Sequence, residues 1–186
     1  MKTRMIIVAG PSGVGKSSFV EAITKIFPIL LDTVTCTTRP MRAGESPGHP
    51  YEFISTELFE SRIQQNYFVE WARVHSSYYG TPKDQIDLAF AQNRVVIMDV
   101  DVQGVATFKA KYPDAKTIFI HPPSIEELRR RIQKRDGKEP KDIEVRMTNA
   151  ANEIKKADQF DFQLVNEDFE TSFAAFKKIV EGLLEK

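Results

Sequence analysis

With 186 residues, 41% of them hydrophobic, the chain suits a single domain with a substantial buried core. Its 26 basic and 26 acidic residues cancel, so no global field favours nucleic acid or an anionic membrane, and any attraction for anions has to be local. The one cysteine, Cys36, excludes an internal disulfide, and the scattered histidines His49, His75 and His121 offer no metal-ligand spacing.

Met1-Lys2-Thr3-Arg4 leads straight into Met5-Ile6-Ile7-Val8-Ala9, an apolar run suited to a buried parallel strand. No signal peptide is expected there, no apolar run approaches membrane-spanning length, and the expected location is cytoplasmic. Gly10-Pro11-Ser12-Gly13-Val14-Gly15-Lys16-Ser17 then fills every position of the phosphate-loop pattern Gly-x-x-x-x-Gly-Lys-Ser/Thr. Glycines let consecutive N–H groups turn inward around an anion, Lys16 supplies a mobile charge for the β- and γ-phosphates, and the Ser17 hydroxyl suits Mg²⁺. Phe19, Val20, Ile23, Ile26 and Phe27 follow at helical spacing, so a helix starting near Lys16 adds its positive end to the same site.

Asp32-Thr33-Val34-Thr35-Cys36-Thr37 is β-branched and reads as a strand, with Cys36 as a small packing residue. Residues 39–48, rich in proline, glycine and charge, read as a loop. In it Arg39 and Arg42 stand three residues apart beside a strand end, suited to a bidentate grip on phosphate, and Tyr51 and Tyr79 could add phenolic donors. Residues 51–54 and 67–74 alternate as strands around a helical Leu58, Phe59, Ile63 pattern, which predicts an insertion of short strands with one helix.

Residues 94–101 return to a buried-strand pattern that ends in carboxylates. Asp99 stands where a carboxylate would help hold Mg²⁺, directly or through water, while Asp101 either orients substrate or caps the next turn. Residues 117–120 and 162–165 give two further strands. Between them, Ser124 and Glu127 form a capping-box pattern ahead of Leu128 and Ile132, and Pro140 suits a first helical turn before Ile143, Met147, Ala150 and Ile154. Phe169, Phe173, Phe176, Val180 and Leu183 predict a last helix with one core-facing side. Apolar runs alternating with helical patterns predict an α/β fold with a central, mainly parallel sheet.

A phosphate loop alone names no reaction. The chain resembles the guanylate kinases, P-loop enzymes that phosphorylate GMP with ATP. The motifs are residues 10–18 and Thr37-Thr38-Arg39-Pro40-Met41-Arg42-Ala43-Gly44-Glu45 with Gly48 and Tyr51-Glu52-Phe53. They continue through Phe68-Val69-Glu70-Trp71-Ala72, Tyr79-Gly80-Thr81, Asp99-Val100-Asp101-Val102-Gln103-Gly104, Pro122-Pro123-Ser124 and Val165-Asn166. The resemblance implies a three-layer α/β/α P-loop fold: a core of about 1–32, 94–125 and 159–186, a small mixed GMP-binding insertion at about 33–93, and a helical lid at about 126–158.

It also implies transfer of the γ-phosphoryl group of ATP to GMP, with dGMP a plausible acceptor, in purine nucleotide metabolism and GMP recycling. Gly10, Ser12, Gly13, Val14, Gly15, Lys16, Ser17 and Ser18 would hold the donor phosphates, with Asn166 and Glu167 at the adenine, and Ser17 and Asp99 at Mg²⁺. Arg39, Arg42, Tyr51 and Tyr79 would hold the GMP phosphate; Thr35, Glu70 and Thr81 would read the guanine, with Asp99 and Asp101 in the same acceptor set. A carboxylate at Glu70 can accept from the paired N1–H and N2–H₂ donors that guanine has and adenine lacks. Arg131, Arg135 and Arg146 match the family's basic lid, and Lys16, Arg42, Arg135 and Arg146 would act at the reaction centre.

Pro50 stands where the family commonly has an acidic residue, and Arg135-Asp136-Gly137-Lys138-Glu139-Pro140 departs from the family's glycine-then-acidic stretch. Two rivals remain at this point: a P-loop kinase for another small phosphate, and a non-catalytic interaction module, against which the intact Lys16, Ser17 and loop glycines argue. Nucleic acid and membrane are not expected partners; the oligomeric state is not legible.

Overall fold

Every residue of strand β1 (Met5–Ala9) is buried, because both faces of the sheet it centres are covered. The chain, described here by a computed structural model over residues 3–42, 44–74, 76–137 and 139–185, places β1 in a five-stranded parallel sheet ordered β2 (Leu30–Asp32), β7 (Val95–Asp99), β1, β8 (Lys116–His121), β9 (Phe162–Val165). Met1, Lys2, Ala43, His75 and Lys138, which entered the sequence reading, lie outside the described residues.

Side chains alternate across a strand, and the two faces feed two cores. Ile6 and Val8 of β1, Ile97 of β7 and Ile118 and Ile120 of β8 meet helices α1 (Lys16–Ile26), α5 (Ile125–Asp136), α6 (Ile143–Ile154) and α7 (Phe169–Leu184). Met5, Ile7, Ala9, Val96, Met98 and Phe119 point the other way, against α3 (Lys83–Ala91) and α4 (Val102–Lys111). This is the α/β fold with a parallel central sheet that the alternating pattern predicts, in the three-layer form that the resemblance implies. The face of α7 is core, as its spacing predicts: Phe176, Val180 and Leu183 are buried, and Phe169 and Phe173 pack beside them on Phe19.

A second, mixed sheet has the order β4 (Tyr51–Phe53), β3 (Thr35–Thr37), β6 (Ser77–Pro82), β5 (Phe68–Val74). Helix α2 (Thr56–Gln64) covers it through Phe59, which stacks on Phe68 at 4.5 Å and on Tyr78 at 5.2 Å. Cys36 is buried in this small core, as its packing role predicts, and burial followed by its contact with Glu52 pushes the thiol up to about 12.

The structure corrects three local expectations. The run 32–37 is two strands in two sheets, parted at Thr33 and Val34, because one β-branched stretch has the same local propensity in either sheet and pairing decides its membership. Residues 51–74 hold one helix, α2, as their pattern predicts, and α3 follows the second sheet, burying Ile86 and Ala89 in the central core. Pro140 precedes α6, whose N-cap is Asp142; its carbonyl accepts from Ile143 N at 3.1 Å. The capping box is half formed: Ser124 accepts from Glu127 N, but the Glu127 carboxylate serves Arg130 and Arg131 instead.

Candidate functional site

Parallel strands end at one edge of a sheet, and loops leaving that edge form the crevice where ligands bind in open α/β folds. Here the loop between β1 and α1, the end of β7, the second sheet and the α5–α6 segment surround one cavity of about 870 Å³. Among the sequence-derived residues, Ser12, Gly13, Val14, Gly15, Lys16, Ser17, Ser18, Thr35, Arg39, Arg42, Tyr51, Glu70, Tyr79, Thr81, Asp99, Asp101, Arg131, Arg135, Arg146 and Asn166 line it. Gly10 and Glu167 do not: the Gly10 carbonyl accepts from Lys16 Nζ, and that of Glu167 from Arg131 Nη2.

On the phosphate-loop side the backbone conformation is set by sequence. Gly15, with φ 102°, is the N-cap of α1, and a Cβ there would lie 2.9 Å from Asn166 Nδ2. Asn166 donates that nitrogen to Val14 O at 2.8 Å, so this buried amide props the loop from behind; its Oδ1 has no hydrogen-bond partner among the described residues. Lys16 Nζ donates to the carbonyls of Gly10 at 2.7 Å and Pro11 at 3.2 Å, which folds the lysine over the loop. Ser17 Oγ donates to Asp99 Oδ2 at 3.0 Å, bringing a hydroxyl and a carboxylate, both hard oxygen ligands, to one point.

The opposite wall is built by the second sheet. Parallel pairing of β3 with β4 sets Thr35 opposite Tyr51, and antiparallel pairing with β6 sets Thr37 opposite Tyr79. Arg39 lies 5.5 Å from the Tyr51 ring centre, and the Tyr51 and Tyr79 rings meet edge to face at 5.9 Å. Burial, then the charge of Asp99, pushes the Tyr51 hydroxyl up, so it remains a neutral donor. Glu45, quoted above only as part of a motif, organises both arginines: it accepts from Arg39 Nη2 at 2.7 Å and from the backbone N of Arg42 at 2.7 Å. Deeper in, Thr81 is buried and Glu70 stands with it on the paired strands β5 and β6. Burial, then Asp101, pushes the Glu70 carboxyl up to about 7, with Lys111 opposing. Asp101 caps α4, accepting from Gln103 N and Gly104 N, as one of its two readings expects, and it also lines the cavity.

Between the two sides stands a cationic cluster. Burial, then Arg135 and Arg39, lowers the pKa of the Arg42 guanidinium, a crowd of like charges suited to receiving an anion. Asp136 gathers the crowd, 2.8 Å from Arg135 Nε, 3.8 Å from Arg42 Nε and 3.7 Å from Arg146 Nη1. Sequence reasoning passed over Asp136 as an irregular lid residue, and also over Glu153, a half-buried carboxyl raised by burial that lies in the field of Lys16 and Asp101. Nothing in the spacing of either residue signals these contacts. Among the described residues no group of three or more His, Cys, Asp or Glu side chains could hold a metal by itself, and no helix is long and apolar enough to cross a membrane.

Comparison with known proteins completes the description. Residues 2–183 match the family model described as Guanylate kinase. The chain is 62% identical over 184 residues to a guanylate kinase of Bdellovibrio bacteriovorus, covering 99% of this chain and 100% of that protein. It is 43% identical to a guanylate kinase of Polaromonas sp., covering 96% of this chain and 86% of the relative. Its fold superposes on the crystal structure of guanylate kinase from Anaplasma phagocytophilum with a TM-score of 0.80 at 27% identity, covering 100% of this chain and 88% of that one.

Proposed function

The chain belongs to the guanylate kinase family and is a guanylate kinase enzyme, transferring a phosphoryl group from ATP to GMP, and from that premise we propose how its residues divide the work. The observation that carries the reading is a single cavity walled on one side by the phosphate loop and on the other by Arg39, Arg42, Tyr51 and Glu70. Ser12, Gly13, Val14, Gly15, Lys16, Ser17 and Ser18 take the ATP phosphates on the loop that Gly10 opens, with Asn166 towards the adenine and Glu167 behind it holding Arg131. Arg39, Arg42, Tyr51 and Tyr79 take the GMP phosphate, and Thr35, Glu70, Thr81, Asp99 and Asp101 complete the acceptor site.

An oxygen of the GMP phosphate forms the new bond to the γ-phosphorus as the bond to the β-bridging oxygen breaks, releasing ADP and GDP. That nucleophile is already anionic, so no general base is needed; the protein aligns the two ends and neutralises charge spread over the transferring group. Lys16, Arg42, Arg135 and Arg146 supply that neutralisation, and Arg131 helps to seat the lid. The Ser17–Asp99 pair suits Mg²⁺ in its type and number of oxygen ligands, since that ion keeps several waters and binds through few protein groups. When bound there, it would add further charge neutralisation at the phosphates. The second-sheet unit and the 126–158 lid close over the core to exclude water, which protects ATP from hydrolysis. We place the protein in the cytoplasm.

Lys16→Ala tests the division directly. It removes transition-state charge stabilisation from the donor side only, so kcat is expected to fall by roughly 10²–10³ or more while calorimetric GMP binding persists. Full activity in this variant would refute the assignment.

A further inference from the structure

Helix α4 runs behind β5, the strand that carries Glu70. Gly104, Thr107 and Lys111 are spaced three and four residues apart and so share one face of α4. At Gly104 the helix gives room: a Cβ there would lie 3.1 Å from Glu70 Cδ and 3.2 and 3.3 Å from its two oxygens, so the carboxyl group rests on the helix backbone. Two turns on, Lys111 Nζ donates to the carbonyl of Val69, the residue before Glu70.

That carbonyl matters because β5 is irregular at this point. Phe68 pairs with Pro82 and Glu70 with Thr81, so two steps on β5 oppose one on β6 and Val69 is the extra residue of a bulge. A bulge re-aims the neighbouring side chain and leaves its own backbone groups without ladder partners; a buried carbonyl in that position needs another donor. Val69 is buried, and Lys111 is that donor. Behind the bulge lies a second cleft of about 290 Å³, lined by Asn66, Trp71, Thr107, Lys111 and Glu70 itself. Lys111 and Glu70 therefore share one space, into which the lysine brings positive charge.

We propose that Lys111 is a positioning residue for guanine recognition: by holding the Val69 carbonyl it fixes the bulge that aims the Glu70 carboxylate into the acceptor cavity. The inference rests on the reading of Glu70 as the base contact and adds the group that holds it in place. Lys111 touches neither nucleotide, and its influence reaches the base only through Glu70.

The test is steady-state kinetics of the full chain with GMP or IMP as acceptor at saturating Mg·ATP. IMP keeps N1–H and lacks the 2-amino group, so discrimination between the two reports on the aim of the carboxylate. Lys111→Met, which keeps the aliphatic stem, is expected to raise the KM for GMP about tenfold, the equivalent of one lost hydrogen bond of about 1.4 kcal/mol. It should shrink the preference for GMP over IMP by a similar factor, with kcat and the KM for ATP within about twofold of the parent. Lys111→Arg, which can still donate to the carbonyl, should restore most of the loss. Equal losses for GMP and IMP, a parallel loss for ATP, an unchanged KM for GMP, or no recovery with arginine would each overturn the proposal. Glu70→Gln separates the two layers of argument: if it raises the KM for GMP while Lys111→Met does not, the lysine assignment fails alone, and if it leaves that KM unchanged, the reading of Glu70 itself fails.

Discussion

The Glu70 carboxyl rests on Gly104 within reach of Asp101, where burial pushes it up to about 7 from its ordinary 4.5. Acceptance of two guanine donors requires the ionised form, so the KM for GMP should improve as pH rises through about 7 and worsen below it. Two charged groups set this position: Asp101 at the start of α4 raises it and Lys111 at its end opposes the rise. Stability runs the other way. A folded-state carboxyl that holds its proton more tightly than the unfolded chain contributes most below pH 4.5, and that contribution is lost as pH rises to about 7. At about 1.4 kcal/mol per pH unit the loss has a ceiling of about 3.5 kcal/mol. Glu70→Gln is therefore expected to raise the thermal midpoint of the nucleotide-free protein at pH 8 and to change it little at pH 4.5, measured by calorimetry at the two pH values. A lower midpoint at pH 8 would show that the ionised carboxylate is favourably partnered there. The type and place of Glu70 were legible in the sequence through its motif. Lys111 was not, because a lone lysine near a helix end looks like any solvated residue until the bulge it serves is visible.

Among the elements, the α5–α6 segment shows what one carboxylate can gather. Asp136 draws Arg42, Arg135 and Arg146 together from the loop after β3, from α5 and from α6. With side chains 16–35% exposed, these pairs are partly shielded from solvent, and together they hold the α5–α6 segment to the loop after β3 by roughly 1 kcal/mol. Asp136→Asn should thus speed amide exchange across residues 136–142 about fivefold in the free protein. It should leave exchange in the nucleotide-bound protein unchanged, because phosphate then serves the arginines. Equal exchange in the free forms would show that the pairs do not tie the lid. Helices such as α1 and α7 were legible because their apolar faces repeat at 3.6 residues and the cores bury those faces. The split of residues 32–37 between two sheets was hidden, since local propensity does not say which partner a strand will find.

The whole molecule is two cores around one parallel sheet, with a smaller sheet and the α5–α6 segment around the cavity at its strand ends. Most of the residues singled out from the sequence line one cavity, because they sit in short contiguous motifs. Sequence reasoning missed Glu45's grip on both arginines, the hub at Asp136 and the clamp at Lys111, all of which depend on where separate elements meet. The central claim is that the shared cavity joins ATP to GMP and selects guanine. Its most direct measurement follows ADP and phosphorylated acceptor together, with GMP, AMP, CMP or UMP offered in turn with Mg·ATP. The account predicts equimolar ADP and GDP with GMP, and a kcat/KM for GMP roughly 10⁴-fold above that for AMP, the scale set by unpaired buried polar groups. ADP released without GDP, or AMP turned over as readily as GMP, would contradict it.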